Sequence, residues 1–203
     1  MDSKMINIII EALGQTIYMV FFSTLFASVL GFILGIIVTV TSPTGLRPNI
    51  FIYKSLDVII NVLRSFPFII LIVFIIPLTR AIVGTPIGET AAIVPLTIAA
   101  APFVARIIES ALKEVDPGVI EAAKSFGASN LQIIFKVMLK EAVPAIISGL
   151  TLTIINIIGY SAMAGSVGAG GLGKVAISYG YQRYQTDVMI VTVIILIIMV
   201  QGL

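Results

Sequence analysis

Long apolar runs without charge, separated by short polar segments, form the pattern of this sequence. Residues 12–46 contain no charged side chain, and residues 142–173 form a second run of this kind. A helix that crosses a membrane needs about 20 mostly apolar residues. The pattern therefore predicts an all-α integral membrane protein with about five transmembrane helices, which cover approximately residues 16–40, 56–78, 90–108, 143–164 and 187–203.

Residues 1–11 are predicted to form an interfacial segment that leads directly into the first span. Lys4 precedes a short apolar run, and Glu11 interrupts that run. A secretory signal peptide has a longer apolar region and a cleavage site of the A-x-A type, and neither follows here. The segment is therefore expected to remain on the chain as a short helix over residues 3–13.

Lysine and arginine are distributed unevenly between the two sides of this topology. One side carries seven of them, which are Arg47, Lys54, Arg106, Lys113, Lys124, Lys136 and Lys140. The opposite side carries four, which are Lys4, Arg80, Lys174 and Arg183. Because cytoplasmic loops carry the excess of these residues, the N-terminus is expected outside and the segment 109–141 in the cytoplasm.

Composition agrees with a membrane protein and excludes several chemistries. Of 203 residues, 59% are hydrophobic and 11% are charged, whereas soluble domains carry about 25% charged residues. The net charge is only +2 and there is no polybasic run, so nucleic acid is not an expected partner. The absence of Cys and His excludes thiolate or imidazole metal sites and nucleophiles that depend on a histidine.

The stretch GAGGLGKV, from Gly168 to Val175, fits the nucleotide pattern G-x-x-x-x-G-K, and its first six residues fit G-x-G-x-x-G. A working phosphate loop follows a strand and has Ser or Thr after its lysine. Here Val175 follows Lys174, a long apolar run precedes the glycines, and the charge count places the stretch outside. We therefore interpret it as a glycine-rich turn that lets backbone pass closely at a helix end.

The one long cytoplasmic segment, residues 109–141, is predicted to contain two short helices joined by a bend. Asp116 is placed to cap a helix that starts with proline. Gly127 is placed to end that helix in a left-handed conformation. Ser129 with Gln132 then matches the capping box that begins the next helix.

An apolar stripe with spacings of three and four runs along the first of these helices. Its members are Val119, Ile120, Ala122, Ala123 and Phe126. Such a stripe packs either against the chain's own helices or against a partner protein, and the pattern alone leaves both open. Its small alanines would let a partner approach closely.

Arg64 lies in the second predicted span, beside a helix break that Pro67 predicts because proline cannot donate to the carbonyl of Leu63. A charged residue inside a membrane is a functional candidate. The alternative is that Arg64 extends to the interface or pairs with Asp57, seven positions earlier on a similar helical face. The sequence leaves both open.

The cytoplasmic segment also contains the pattern EAA-x3-G, formed by Glu121, Ala122, Ala123 and Gly127. This pattern resembles the signature loop of ABC-importer permeases, which are the transmembrane subunits of ATP-driven uptake systems. In that family the signature continues as I-x-L-P, whereas this chain reads VMLK at 137–140, with Pro144 four residues later. The departure concerns the bend into the fourth span and not the docking role.

Two longer stretches indicate which subfamily the chain resembles. The resemblance covers nearly the whole chain and implies that residues 12–203 form the transmembrane permease domain. The residues RSFPFIILIVFIIPLTR at 64–80 and GYSAMAGSVGAGGLGKVAISYGYQRY at 159–184 are similar to the methionine-importer permease subfamily. The resemblance implies a transport subunit that is not an enzyme and has no catalytic residue, metal or cofactor of its own. It also implies a location in the bacterial plasma (inner) membrane.

The resemblance further implies partners and site residues. Two copies of the chain would form the translocation pathway, and two ATP-binding cassette subunits, which bind ATP and magnesium, would dock below. Glu121, Ala122, Ala123 and Gly127 would couple the chain to that ATPase. A lipid-anchored binding protein would deliver methionine from outside. Met163 would lie at the narrow gate of the pathway, with Tyr160, Ser161 and Arg64 as further candidates.

Other functions remain as alternatives. A membrane-embedded enzyme would need paired polar groups at one depth, and an ion-coupled carrier usually has acids inside the membrane, where the nearest is Asp57. A permease for another amino acid, and the choice between L- and D-methionine, also stay open. Members of the resembled subfamily continue past the fifth span, so we expect the natural chain to extend beyond Leu203.

The orientation can be tested by labelling, because the chain has no cysteine of its own. Lys4→Cys and Lys174→Cys should react with a membrane-impermeant thiol reagent in intact cells, since both positions are expected outside. Lys124→Cys should react only after the cells are opened. Labelling of Lys124→Cys in intact cells would reverse the predicted orientation.

Overall fold

The computed structural model describes residues 3–203, and these residues contain helices and no strand. The all-α prediction is therefore confirmed for the described chain. The α-helices are α1 Ser3–Thr41, α2 Ile50–Ser65, α3 Phe68–Phe74, α4 Ile76–Val83, α5 Glu89–Lys113, α6 Pro117–Ser125, α7 Asn130–Gln132, α8 Leu139–Gly165, α9 Gly171–Val175 and α10 Thr186–Gln201. Two π-helical segments, Ile133–Met138 and Ala176–Tyr181, follow α7 and α9.

Within residues 3–203, three helices are long and apolar enough to cross a membrane, namely α1, α5 and the continuous helix Asn130–Gly165. The bent pair α2 and α3 raises this number to four if it counts as one span. The fifth predicted span corresponds to α10, an apolar helix of 16 residues, which is shorter than the usual crossing length. The count of five spans therefore stays a prediction.

The second predicted span, 56–78, breaks beside Pro67 as the sequence predicts, but it falls on three helices, α2, α3 and α4. Helices α2 and α3 meet at an angle of 106°, and a further break at Ile75 separates α3 from α4. Pro67 stands before α3 with φ −62° and ψ 127°. Proline donates no backbone hydrogen bond and keeps the residue before it out of the helical region, so the predicted break became a sharp bend.

The ends of the other helices also differ from the prediction. Residues 3–11 form the first turns of α1 and not a separate helix, while the first two residues of the predicted segment 1–11 lie outside the described chain. The predicted segment 109–141 is shortened at both ends, because α5 continues to Lys113 and the helix that contains Pro144 already begins at Asn130. The π-helical segment Ile133–Met138 replaces the bend into the fourth span.

The chain divides into two compact units. The first unit contains the chain up to Ala27, Phe66–Ala100 and Thr153–Leu203. Its buried side chains form two clusters, one around Met19, Phe68 and Leu96, and one around Leu172 and Val188. The second unit contains Ser28–Ser65 and Ala101–Leu152, and its core is centred on Ile108, Leu112 and Ile133.

Within the second unit, α1 packs closely on α5 through two glycines. A Cβ atom at Gly31 would lie 2.5 Å from Val104 Cβ, and one at Gly35 would lie 2.6 Å from Ile108 Cβ. Both contacts advance by four residues on each helix, so the two helices run parallel here. Small residues at such a contact let helix backbones approach, which is how membrane helices gain packing energy.

Replacement of glycine by alanine should have opposite effects on stability at Gly14 and at Gly35 of α1, because only Gly35 lies at this close contact. Alanine favours a helix over glycine by about 1 kcal/mol, and Gly14 has open space around its Cα atom. Gly14→Ala should therefore leave the protein as stable or more stable. Gly35→Ala should destabilise it by about 1–3 kcal/mol, because the added methyl group overlaps α5.

Thermal unfolding of the two purified variants, followed by circular dichroism in one detergent, measures the difference. A Gly35→Ala variant as stable as Gly14→Ala would contradict the close packing of α1 on α5.

Candidate functional site

The cytoplasmic segment predicted from the sequence has the local structure that its residues indicate. The Asp116 side chain accepts a hydrogen bond from the Gly118 N–H at 2.7 Å, which caps the start of α6. Gly127 has φ 77°, the left-handed conformation that glycine adopts without steric cost. The capping box is also present, since the Ser129 N–H donates to Gln132 Oε1 at 2.8 Å and the Gln132 N–H donates to Ser129 Oγ. These three predictions are confirmed.

The five residues of the predicted apolar stripe do not form one common face. Ile120 and Ala123 pack against the core of the second unit. Val119, Ala122 and Phe126 are exposed, because positions 119, 122 and 126 follow the 3.6-residue helical repeat along a neighbouring face. The two alternatives that the sequence left open therefore apply to different residues, and the inner pair fixes α6 on its own unit.

Apolar side chains remain exposed on both sides of the bend at Gly127. Phe126 is 92% exposed, and Leu131 and Phe135 in the following helical turns are also exposed. We call Val119, Ala122, Phe126, Leu131 and Phe135 the exposed apolar set. Large apolar side chains that a fold leaves uncovered at a fixed bend are typical of a site for a protein partner or for lipid.

The charged residues of α6 line a cavity in the second unit. Glu121 and Lys124 face a space of about 300 Å³, which is also lined by Lys113 from α5 and by Thr44 from the turn after α1. Glu121 thus lies on the same short helix as Val119 and Ala122 of the exposed apolar set. Glu121, Ala122 and Gly127 are all exposed, whereas Ala123 is partly covered.

A charged network in the second unit was missed by the sequence analysis. Arg106 pairs with Asp57 of α2 and, at 2.5 Å, with Glu109 of α5. Glu109, which is buried, also accepts a hydrogen bond from Lys113 at 2.6 Å, and Asn61 Oδ1 accepts one from Arg106 at 2.9 Å. The spacing of three and four residues between the charges of α5 could have indicated part of this network.

This network overturns the predicted pairing of Arg64 with Asp57, while the extension of Arg64 to the interface stays a prediction. The carboxylate of Asp57 is paired with Arg106 of α5, while Arg64 is exposed at the end of α2 and forms no ion pair with any described residue. The predicted pair of Asp57 and Arg64 rested on spacing along a single helix. The partner came from α5, which sequence spacing could not place beside α2.

The three candidate pathway residues of α8 lie in the first unit and have different surroundings. The Tyr160 ring stacks on the Phe68 ring with 4.7 Å between centroids. Ser161 is 1% exposed, and its hydroxyl donates to the carbonyl of Ile158 at 2.7 Å. Met163 is 51% exposed. Of the three side chains, only that of Met163 lies largely free on the surface of the unit.

The first part of the glycine stretch is the turn that the sequence indicates, and its second part forms the short helix α9. Helix α8, and not a strand, precedes it. The N–H of Gly171 donates to Gln15 Oε1 at 2.8 Å, and the N–H of Leu172 donates to Thr16 Oγ1 at 2.9 Å. A phosphate loop needs such backbone donors for its ligand, whereas here they are used within the chain.

Comparisons with known proteins give a consistent result. The family described as "Binding-protein-dependent transport system inner membrane component" matches residues 28–202. "Probable D-methionine transport system permease protein MetI" of Vibrio cholerae is 52% identical over 195 residues, which are 96% of this chain and 87% of that protein. "D-methionine transport system permease protein MetI" of Escherichia coli K12 is 46% identical over 165 residues, 81% of this chain and 76% of that protein.

A solved structure of a methionine ABC transporter is also similar to this chain. The structure described as "Inward facing conformations of the MetNI methionine ABC transporter" superposes with a TM-score of 0.97 at 45% identity, over 99% of this chain and 93% of the solved chain.

Proposed function

The chain belongs to the family of binding-protein-dependent transport system inner membrane components, and on this basis we propose that it is the permease subunit of an ATP-driven methionine importer. Family membership confirms the resemblance to ABC-importer permeases and the expectation of a transport subunit that is not an enzyme. The methionine assignment is supported by the names of relatives that are about half identical over most of both chains.

The observation that carries the coupling role is the exposed apolar set on the α6 bend. Ile120 and Ala123 anchor α6 to its own unit, and the caps at Asp116 and Ser129 satisfy the helix ends. The exposed apolar set is therefore held in place without a partner. We assign this surface, with Glu121 and Gly127, to the binding of a separate ATPase subunit.

In this proposal nucleotide and magnesium belong to the ATPase subunit, and the chain itself binds no cofactor. The glycine stretch supports that division, because the N–H groups of Gly171 and Leu172 already donate to Gln15 and Thr16. Two copies of the chain enclose the pathway, each bound to one ATPase subunit. The coupling segment faces the cytoplasm and the N-terminus lies outside.

We assign Met163 to the gate of the pathway, with Tyr160, Ser161 and Arg64 as further candidates. The assignment of Met163 is supported by its exposure, since a gate residue needs a side chain that its own subunit leaves uncovered. Methionine is unbranched and adapts its shape to a neighbour more easily than other apolar residues do. Another amino acid as substrate is the remaining alternative within the family.

The coupling role predicts that strain at the bend separates ATP hydrolysis from transport. Valine at a left-handed position costs more than about 1 kcal/mol. Gly127 and Gly84 both have positive φ and open space around them, so Gly127→Val and Gly84→Val strain the backbone comparably. Only Gly127→Val should lose methionine uptake, either by failing to retain the ATPase or by leaving hydrolysis unlinked to transport.

Co-purification of the ATPase, its hydrolysis rate and uptake into proteoliposomes should be measured on one preparation of each variant. Equal loss of uptake in both variants would indicate general destabilisation, and wild-type uptake in Gly127→Val would remove the coupling role from this bend.

The substrate and the gate are tested by uptake of radiolabelled L- and D-methionine into proteoliposomes that contain the assembled complex. Wild type should accumulate methionine in an ATP-dependent manner. Met163→Ala should change the transport rate while the dimer and the bound ATPase remain, because alanine removes the side chain that closes the gate. Uptake by Met163→Ala equal to wild type at all concentrations would withdraw the gate assignment.

A further inference from the structure

The glycine stretch packs directly on α8 beside Met163, within the first unit. A Cβ atom at Gly173 would overlap the carbonyl oxygen of Ala162. A Cβ atom at Gly165 would lie 2.8 Å from the carbonyl carbon of Gly173 and would also overlap the backbone nitrogen of Lys174. Helix α9 therefore touches the α8 backbone before and after Met163, with no side chain in between.

The turn between α8 and α9 fixes the backbone of Met163 itself. The carbonyl of Met163 accepts a hydrogen bond from the Ser166 N–H at 3.1 Å and another from the Ser166 hydroxyl at 2.7 Å. The carbonyl of Ala164 accepts one from the Ala169 N–H at 3.1 Å. The position of the exposed Met163 side chain thus depends on the turn and on the short helix that follows it.

The start of α9 is held by side chains of α1. The N-cap residue of α9 is Gly170, which has no side chain that could accept a hydrogen bond. Because the first N–H groups of a helix have no partner within the helix, they need an acceptor from elsewhere. Gln15 Oε1 accepts from the Gly171 N–H, and Thr16 Oγ1 accepts from the Leu172 N–H. Helix α1 therefore supplies the cap that an N-cap side chain usually provides.

The Thr16 hydroxyl is oriented for this contact. Thr16 is 1% exposed, and its hydroxyl donates to the carbonyl of Ala12 at 2.9 Å. A hydroxyl group has one donor and can accept at its lone pairs, so both capacities of Thr16 are used. Leu172 is also buried, and a buried N–H group without an acceptor is costly. The place of α9 on α1 is therefore fixed by Thr16.

We infer that Gln15 and Thr16 are positioning residues of the transport gate. They fix the glycine stretch, and the glycine stretch fixes the α8 backbone on both sides of Met163. The inference rests on the proposed function, because it takes Met163 as the gate residue. Neither positioning residue needs to touch methionine, since a functional side chain keeps its place through the packing and hydrogen bonds of the residues that support it.

The test measures methionine flux into proteoliposomes that contain the assembled complex, with and without ATP. Thr16→Val keeps the size of the side chain and leaves the Leu172 N–H without its acceptor. Methionine flux without ATP should rise about tenfold or more, because an unsatisfied buried N–H group costs enough to shift the turn between two arrangements by that factor. Methionine transported per ATP hydrolysed should fall, and Thr16→Ser, which keeps the hydroxyl, should behave as wild type.

Thr192→Val is the matched control for a general loss of stability. Thr192 is buried in the same unit, and its hydroxyl donates to carbonyls of its own helix, at Val188 and Met189. Thermal unfolding in one detergent should show whether the two valine variants lose comparable stability. Thr192→Val should keep the wild-type flux without ATP. Equal flux without ATP in both valine variants would reduce Thr16 to a structural role and overturn the inference.

Gln15→Met decides the case if Thr16→Val does not assemble. Gln15 is half-buried, and methionine has a similar length but offers no oxygen to the Gly171 N–H. The flux without ATP should rise in this variant as well. Wild-type flux in Gln15→Met, or in an assembled Thr16→Val complex, would overturn the inference.

The same measurements separate this inference from the proposed function. A wild-type complex without ATP-dependent methionine uptake would overturn the proposed function and the inference with it. Transport by Met163→Ala equal to wild type would remove the gate that Gln15 and Thr16 are inferred to position. If wild type and Met163→Ala behave as proposed while the Thr16 and Gln15 variants remain as tight as wild type, the inference alone is wrong.

Discussion

The structure depends on one constraint, which is that lipid offers no hydrogen-bond partner to the backbone. Each N–H and C=O group in an apolar environment must be satisfied within the protein, and this explains the helices throughout the described chain. The same constraint governs the places where a helix stops. At Pro67, which has no donor, the chain bends by 106° between α2 and α3. At the start of α9, the side chains of Gln15 and Thr16 accept hydrogen bonds from the N–H groups of Gly171 and Leu172.

Contacts between the helices follow from the same environment. Because apolar helices gain little from leaving lipid for one another, close packing and polar contacts hold them together. Gly31 and Gly35 let α1 approach α5 until a methyl group would not fit. The network of Asp57, Arg106 and Glu109 joins α2 to α5 in the same unit. Charges in a membrane protein that are paired in this way serve the structure, so a charged side chain in a span does not by itself mark the transport pathway.

The proposed coupling surface combines a fixed backbone with uncovered side chains. The caps at both ends of the bend satisfy the backbone, and the inner side chains of α6 are buried in their own unit. The outer face keeps Phe126 almost fully exposed. A rigid segment of this kind can transmit a displacement to the helices on which it is anchored, whereas a flexible loop would absorb it. This physical property supports the role of the segment in coupling.

The sequence by itself determined the helical class, the break at Pro67, the caps around Gly127 and the character of the glycine stretch, because each depends on composition or on neighbours a few residues away. The motifs were also sufficient to indicate the family. Only the tertiary structure decided the rest. In the structure Asp57 forms an ion pair with Arg106 and not with Arg64. The apolar residues of α6 lie partly on a buried face and partly on an exposed one. Residues 3–11 belong to α1 and do not form a helix of their own. These outcomes depend on which helices lie side by side, and spacing along one helix carries no information about side chains that arrive from another.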